Sequence, residues 1–330
     1  MQRFIACLTL CLWFAFGLCL VDSTLSWSQD SLPDQSGQPL SRGTAQTVGH
    51  IESKRLVECS GMDTSLTDAD LLWAVNDGGN GPFLFALGRN GNDRGRIKVA
   101  GVVNRDWEGL ATFMWHGNPM LLIADFGDNR QKQPTHTLIV LEEPRLSTQH
   151  PERSMPARVA WKIVFRYPDG RHDAEGVAVD QDAEEVLILT KRDTPPLLFA
   201  LPLKPEPPGQ TVTARMVAAI DCIPEPTVED RRHPYGHVRS QPTGLDISSD
   251  GSRIVVLTYK HAYLFNRPPG TCLKSALQRQ PVVIQLPLPQ DCPELKQREA
   301  ICFSRGDQSL LVTSEGKRAR IVERILCPSD

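Results

Sequence analysis

The segment "NRDWEGLATF" (residues 104–113) returns as "RHDAEGVAVD" (171–180), each with a polar run, an acid, one residue, Glu-Gly and an apolar strand. A glutamate set just before a glycine at the mouth of two separate strands points to a repeat architecture, so other copies are expected. Three fit a relaxed match: "ECSGMDTS" (58–65), "QPTGLDIS" (241–248) and "REAICFSR" (298–305). Aligned on the small residue, the glutamate column reads Ser60, Glu108, Glu175, Thr243, Glu299. The small column reads Gly61, Gly109, Gly176, Gly244, Ala300.

A second apolar run follows each copy ("LLWAVND", "MLLIADF", "VLILTKR", "IVVLTYK", "LLVTSEG") and ends near Asp77, Asp125, Lys191, Lys260 or Glu315. A third run comes next, and four copies add a fourth. Short β-rich runs bounded by Gly, Pro, Asn and Asp, with no helical period, are strand signals. Four strands repeated five times describe an all-β fold, a β-propeller of five four-stranded blades. The fifth copy stops one strand short at "ARIVERILCPSD", so an N-terminal strand, "VGHIESKRL" (48–56), is expected to close the last blade and remove the open edges. Six blades would require "IPEPTVEDRRHPYGHVRS" (223–240) to hide a degenerate blade; its prolines and lack of apolar alternation read as a long loop.

Residues 1–23 place one Arg before a long apolar run and read as a secretory signal peptide, with an uncleaved anchor as the competing reading. Residues 24–45, rich in Ser, Gln, Gly and Pro, read as a disordered leader, and 46–330 as the propeller domain. The expected location is periplasmic or secreted, with no stable membrane span after signal cleavage. Cys59, Cys222, Cys272, Cys292, Cys302 and Cys327 lie beyond the signal, which in an exported domain suits a disulfide framework. Cys272–Cys292 and Cys59–Cys302 are the candidate pairs, against a reading as buried free thiols. No Cys/His spacing suggests zinc. A net charge of −3 gives no general attraction to nucleic acid, and no phosphate-binding loop, dinucleotide fingerprint or nucleophile elbow is present.

In a propeller the innermost strand and its successor are antiparallel, so the start of one and the end of the next meet on one rim of the central channel. Glu108, Glu175 and Glu299 are therefore expected to face the axis. Carboxylates held together repel, and burial raises their proton affinity further, so a cation, bound protons or neighbouring Arg and Lys must compensate. Calcium suits several oxygen ligands, with Asp77, Asp125 and Asp128 as further candidates. Internal ion pairing, with Lys191 and Lys260 filling the columns that lack acids, is the alternative. The rim also gathers Arg105, Arg130, Arg171, Arg192 and Arg298, which suits a small anionic ligand. His172 and Asp173 beside Glu175 would make a base with its orienting carboxylate, or a solvated loop pair. Trp107 is expected to pack against the neighbouring blade.

The pattern "DWEG…ADFGDNR…HDAEGVAVD…LTKRD" resembles a group of secreted bacterial β-propellers. More loosely, the Glu-Gly strand openings are similar to phytase-like propellers, including those with esterase-like activity, and to gluconolactonase-type propellers. That resemblance implies a central divalent cation, usually calcium, reached by Glu108, Glu175 and Glu299, with Asp125 and Lys191 further from the axis. Ser60 and Thr243 depart from the pattern, and the dense acidic calcium motifs of true phytases are not found. The leading expectation is a calcium-dependent hydrolase of an anionic phosphoester or ester/lactone, its catalytic set being His172, Asp173, Lys191 and Arg130. The rival is a non-catalytic scaffold for a peptide, glycan or envelope protein partner, using rim loops such as 229–237.

Overall fold

The computed structural model describes residues 45–146, 155–287 and 297–327. The described residues open with β1 (Ala45–His50) and then lay down five antiparallel sheets in sequence order. Blade one is β2 (Cys59–Thr64), β3 (Leu71–Asn76), β4 (Phe83–Gly88) and β5 (Asp93–Lys98). Blade two is β6 (Trp107–Trp115), β7 (Asn118–Asp125), β8 (His136–Glu142) and β9 (Val159–Arg166). Blade three holds β10 (Ala174–Asp180), β11 (Glu185–Thr190), β12 (Leu197–Pro202) and β14 (Arg215–Ala219). Its β13 (Thr211–Thr213) leaves that blade and pairs in parallel with β9, covering the outer edge of blade two. Blade four is β15 (Pro242–Ile247), β16 (Arg253–Thr258), β17 (His261–Asn266) and β18 (Val282–Gln285).

Blade five contributes β19 (Arg298–Phe303), β20 (Ser309–Ser314) and β21 (Arg320–Ile325), and β1 adds the fourth strand beside β21. The molecule is thus a five-bladed propeller closed by its N-terminal strand. The closing strand lies at 45–50, upstream of the expected 48–56, because Ile51 and Leu56 turn inward and pack between blades five and one. The segment 223–240 is a loop, not a blade, though it carries a single-turn helix α1 (Val228–Arg231); α2 (Leu273–Leu277) is a second short helix that strand periodicity did not signal.

Why the apolar runs are continuous follows from the packing. A blade's two faces both meet neighbours, so Val186 and Ile188 of β11 pack towards blade two while Leu187 and Leu189 pack towards blade four. Each of the five apolar clusters fills one interface between adjacent blades. Trp107 is fully buried in the interface between blades one and two, as its alternation predicts. Cys59 and Cys302 lie in one cluster as separate buried thiols. They sit at opposite ends of their strands, Cys59 one row before Ser60 and Cys302 three rows after Glu299, which keeps their sulfurs from facing each other. Cys272 is an exposed free thiol; Cys292, the segment read as a signal peptide (1–23) and nearly all of the one read as a leader (24–45) lie outside the described residues. Among the described residues no helix is long and apolar enough to cross a membrane.

Candidate functional site

The glutamate column owes its direction to a defect in the sheet. In every blade the pairing of inner strand to second strand shifts by one residue at this column. The jumps run Cys59/Gly61, Trp107/Gly109, Ala174/Gly176, Pro242/Gly244 and Arg298/Ala300. Ser60, Glu108, Glu175, Thr243 and Glu299 are therefore the extra residues of five β-bulges. A bulge re-aims a side chain that regular pairing would fix to one face. Glu108, Glu175, Glu299 and Ser60 line a small axial cavity as a result. The following glycine lets the inner strands approach closely: a Cβ on Gly61 would lie 2.7 Å from the Leu110 nitrogen. Ser60 and Thr243, the two non-acids, stitch blades together instead, donating to the carbonyls of Trp107 and Arg298 at 2.7 Å each.

The mouth divides into two halves of opposite character. On one side Lys191 Nζ bonds Glu175 Oε1, with both side chains at least nine-tenths buried. Burial alone would push the Lys191 ammonium down, but Glu175 and Glu299 outweigh it and hold its pKa above the usual value. The same ammonium lies 5.3 Å from the centre of the Tyr259 ring. Tyr259 donates to Glu299 Oε1 at 2.6 Å, and burial together with Glu175 and Glu299 raises the phenol so that it keeps its proton. Glu315, pushed up to about 8 by burial and then by Glu299, shares a hydrogen bond with Glu299 as well. This half is an internally satisfied network.

The other half is not. One carboxylate oxygen each from Asp77, Asp106 and Glu108 lie within 4.8 Å of one another. Glu108 is 3% exposed, and neither its carboxylate nor that of Asp106 accepts a hydrogen bond from any described residue. Burial, then Glu175, Asp77 and Asp106, raise Glu108 well above an ordinary carboxylate. Burial and then Asp77 push Asp106 up to about 6. Asp77 is also raised by burial, against the pull of the Gly78 N–H that it accepts. A Cβ on Gly127 would sit 2.5 Å from both Asp106 Oδ2 and Glu108 Oε1, so the glycine of "DFGDNR" leaves open the space into which these carboxylates point.

The remaining expected residues are committed elsewhere. Asp125 accepts from Arg105 Nε at 3.2 Å and from the Asp106 N–H at 2.9 Å, which fixes the turn that carries Asp106 into β6. Both oxygens of Asp128 cap its own turn, accepting from the N–H groups of Lys132 and Gln133 at 2.8 and 2.7 Å. His172 does not pair with Asp173: its Nδ1 meets Asp193 at 2.9 Å and its Nε2 meets Asp169 at 3.0 Å. Burial opposes its charge, but those two acids outweigh burial and raise its pKa, while Tyr167 packs edge-on at 4.9 Å. Asp173 instead bonds Arg192 Nε at 2.6 Å and accepts the Asp128 N–H. Arg130 is exposed on its loop. Lys260 reaches Asp230 at 2.8 Å rather than the axis, and Arg298 turns its guanidinium to the carbonyls of Tyr259 and Lys260. Asp106, Tyr259 and Glu315 belong to the site although none is a candidate site residue in the sequence: Asp106 is the acid before Glu-Gly in the opening repeat and Glu315 ends the fifth second-strand run, but neither has an assigned role there. The Asp-x-Glu spacing at the entry to β6 was the available signal for Asp106.

No protein-family model matches the sequence, and no curated protein does. Among solved structures the chain is similar to a gluconolactonase from Xanthomonas campestris, at 12% identity and TM-score 0.46, covering 90% of this chain and 93% of that one. It is also similar to a luciferin-regenerating enzyme, at 10% identity and TM-score 0.47 over 87% and 96% of the two chains. A nidogen/laminin complex matches at 11% identity and TM-score 0.42 over 78% and 73%. Likenesses this remote say nothing of what this chain acts on.

Proposed function

We propose that Asp77, Asp106 and Glu108 hold a divalent cation, calcium, at the channel mouth, and that the site hydrolyses small anionic molecules. The observation that carries the reading is the trio of converging carboxylates, two of them without a hydrogen-bond donor among the described residues. Three such groups cannot all ionise side by side unless a positive charge joins them. Calcium accepts hard oxygen ligands in flexible arrangements, and the space opposite Gly127 gives these oxygens a common target. The bound ion would supply polarisation of a substrate oxygen or a more acidic water. Across the mouth, Lys191 and the protonated Tyr259 would neutralise and orient a negatively charged group. Glu175 and Glu299, already engaged, position those donors and do not ligate the ion. Action in the periplasm or outside the cell, read from residues 1–23, belongs to the same proposal.

The test is calcium titration calorimetry on chelator-stripped protein, with Asp106→Asn and Glu108→Gln alongside. Micromolar binding in the wild type that both variants lose supports the site, and phosphoester, ester and lactone substrates are then screened with and without calcium. No heat in the wild type, or binding indifferent to both changes, overturns it. The acids would then be shared-proton carboxyls, and the mouth a surface for a protein or glycan partner.

A further inference from the structure

A second feature opens beside the ion-paired half of the mouth. The loop after β14, carrying α1, folds into a strap that walls a cleft of about 430 Å³. That is towards the small end of the roughly 300–1,000 Å³ typical of small-molecule sites. Lys191, Arg192 and Arg239 line it, and among the described residues no carboxylate does. Their counter-charges stand behind them: the Asp173, Asp230 and Glu175 side chains are 0%, 5% and 5% exposed, whereas Arg192 and Arg239 are 38% and 18% exposed. Arg192 commits Nε to Asp173 and Nη2 to Asn129, and Arg239 commits Nη1 to Asp230. A guanidinium has five N–H donors, so both retain donors for an incoming anion.

The remaining wall carries aromatic and apolar surface from Tyr259, Tyr235, Pro234 and Val238 beside Gln241 and Gln297, and Tyr235 is 68% exposed. Tyr235 is held at φ 59°, a conformation that a bulky residue adopts only when its surroundings impose it. Those surroundings are fixed in advance: Asp230 accepts from Thr227 N and Oγ1, from Lys260 and from Arg239, pinning the strap to blade four. A neighbouring cleft of about 300 Å³ shares Lys191 and Gln241 but is lined by Asp193, Asp221 and Glu225, which repel an anion. The two clefts differ in charge, and only the first suits a negative ligand.

We infer that the strap cleft binds a flat, ring-bearing anion, its carboxylate or phosphate on Arg192 and Arg239 and its ring against the tyrosines that line the cleft, Tyr235 and Tyr259. The inference rests on the cation reading only for the fate of the bound molecule; binding itself needs no cation. The probes are phenylphosphonate and benzoate, with benzyl alcohol as the uncharged control, titrated into the whole chain after chelation and again with calcium. Binding of either anion without calcium, and not of the alcohol, is expected, and the stronger of the two identifies the headgroup. Tyr235→Asn, which keeps a residue tolerant of positive φ, should weaken binding about three- to tenfold. Arg239→Gln should weaken it about tenfold or more. Thermal melts confirm that both variants fold, and Tyr235→Asn, at an exposed position, discriminates on its own if Arg239→Gln loosens the strap. Anion binding without any calcium heat leaves the cleft standing and removes the cation. Binding seen only with calcium, lost in Glu108→Gln and indifferent to Tyr235→Asn, places the probe on the ion and overturns the cleft. So does equal binding of benzyl alcohol, or no binding of either anion.

Discussion

Two kinds of carboxylate share the channel mouth, and their chemistry is set by what each meets within a few ångströms. Glu175 has an ammonium in hydrogen-bond contact, which offsets part of its burial although burial still holds its pKa raised; Asp106 and Glu108 have no such donor among the described residues and lie against Asp77. The pH dependence of this half follows with a definite sign. A carboxyl whose pKa is raised on folding contributes stability that is full below its unfolded value, here 3.8 for Asp106, and that is lost as pH rises through its folded value of about 6. Glu108 is raised in the same direction and adds to that loss. Calcium reverses it by taking the place of the protons, so binding should release protons near pH 6 and tighten as pH rises. The thermal shift on adding calcium is therefore expected to be larger at pH 8 than at pH 5. Calorimetry in buffers of different ionisation enthalpy counts the protons released; a calcium shift independent of pH would contradict the arrangement. Asp106 was hard to recognise in the sequence because its nearness to Asp77 depends on how the turn after β3 meets the next blade. His172 and Asp173 misled for the opposite reason: adjacent residues on an extended chain point to opposite sides, so neighbours in sequence take different partners.

At the level of the strand, the Glu-Gly pair is a bulge followed by a point of close approach, and the two parts have separable energetic effects. Backbone approaches this column most closely where β2 meets β6: a Cβ on Gly61 would lie 2.7 Å from Leu110 N and 2.8 Å from Gly109 C. Those neighbours are backbone and cannot rotate away. At Gly244 the nearest atom is the Ile301 Cγ2 at 3.0 Å, a side-chain methyl, and the equivalent position in blade five is already Ala300. Gly61→Ala is thus expected to cost about 2–3 kcal/mol, in the range of overpacked cores, and Gly244→Ala less than about 1 kcal/mol. Urea unfolding of the two variants decides it, and equal losses would mean that the small column is not set by strand approach. The column itself was visible in the sequence as a recurring small residue. The bulge was not, since one unpaired residue leaves no trace in an alternating apolar pattern until the partner strand's register is known.

Across the whole molecule the repeat was the readable quantity, because each blade buries both faces of its middle strands and so writes continuous apolar runs into the chain at regular intervals. What joins the ends was readable only as a deficit, a fifth blade lacking a strand, and its position shifted because burial of Ile51 and Leu56 competes with pairing for the same segment. β1 matters more for closure than for core: its residues are exposed or half-buried, but they pair with β21 along five registered positions from Ala45↔Arg324 to His50↔Arg320. Ile51 then anchors the exit, donating to the Ala319 carbonyl at 2.9 Å. A chain beginning at Ile51 keeps every buried residue of the apolar clusters, losing only the half-buried Val48, yet leaves the edge of β21 open. With about 1 kcal/mol for each lost backbone bond, it is expected to be less stable by on the order of 3–5 kcal/mol. An unpaired edge also recruits other chains, so the shortened protein should self-associate with rising concentration. Sedimentation and urea unfolding measure the two effects separately, and a peptide spanning residues 45–50 added in trans should reverse the association. A shortened chain that stays monomeric with an unchanged midpoint would mean that the interfaces between blades hold the ring without its closing strand.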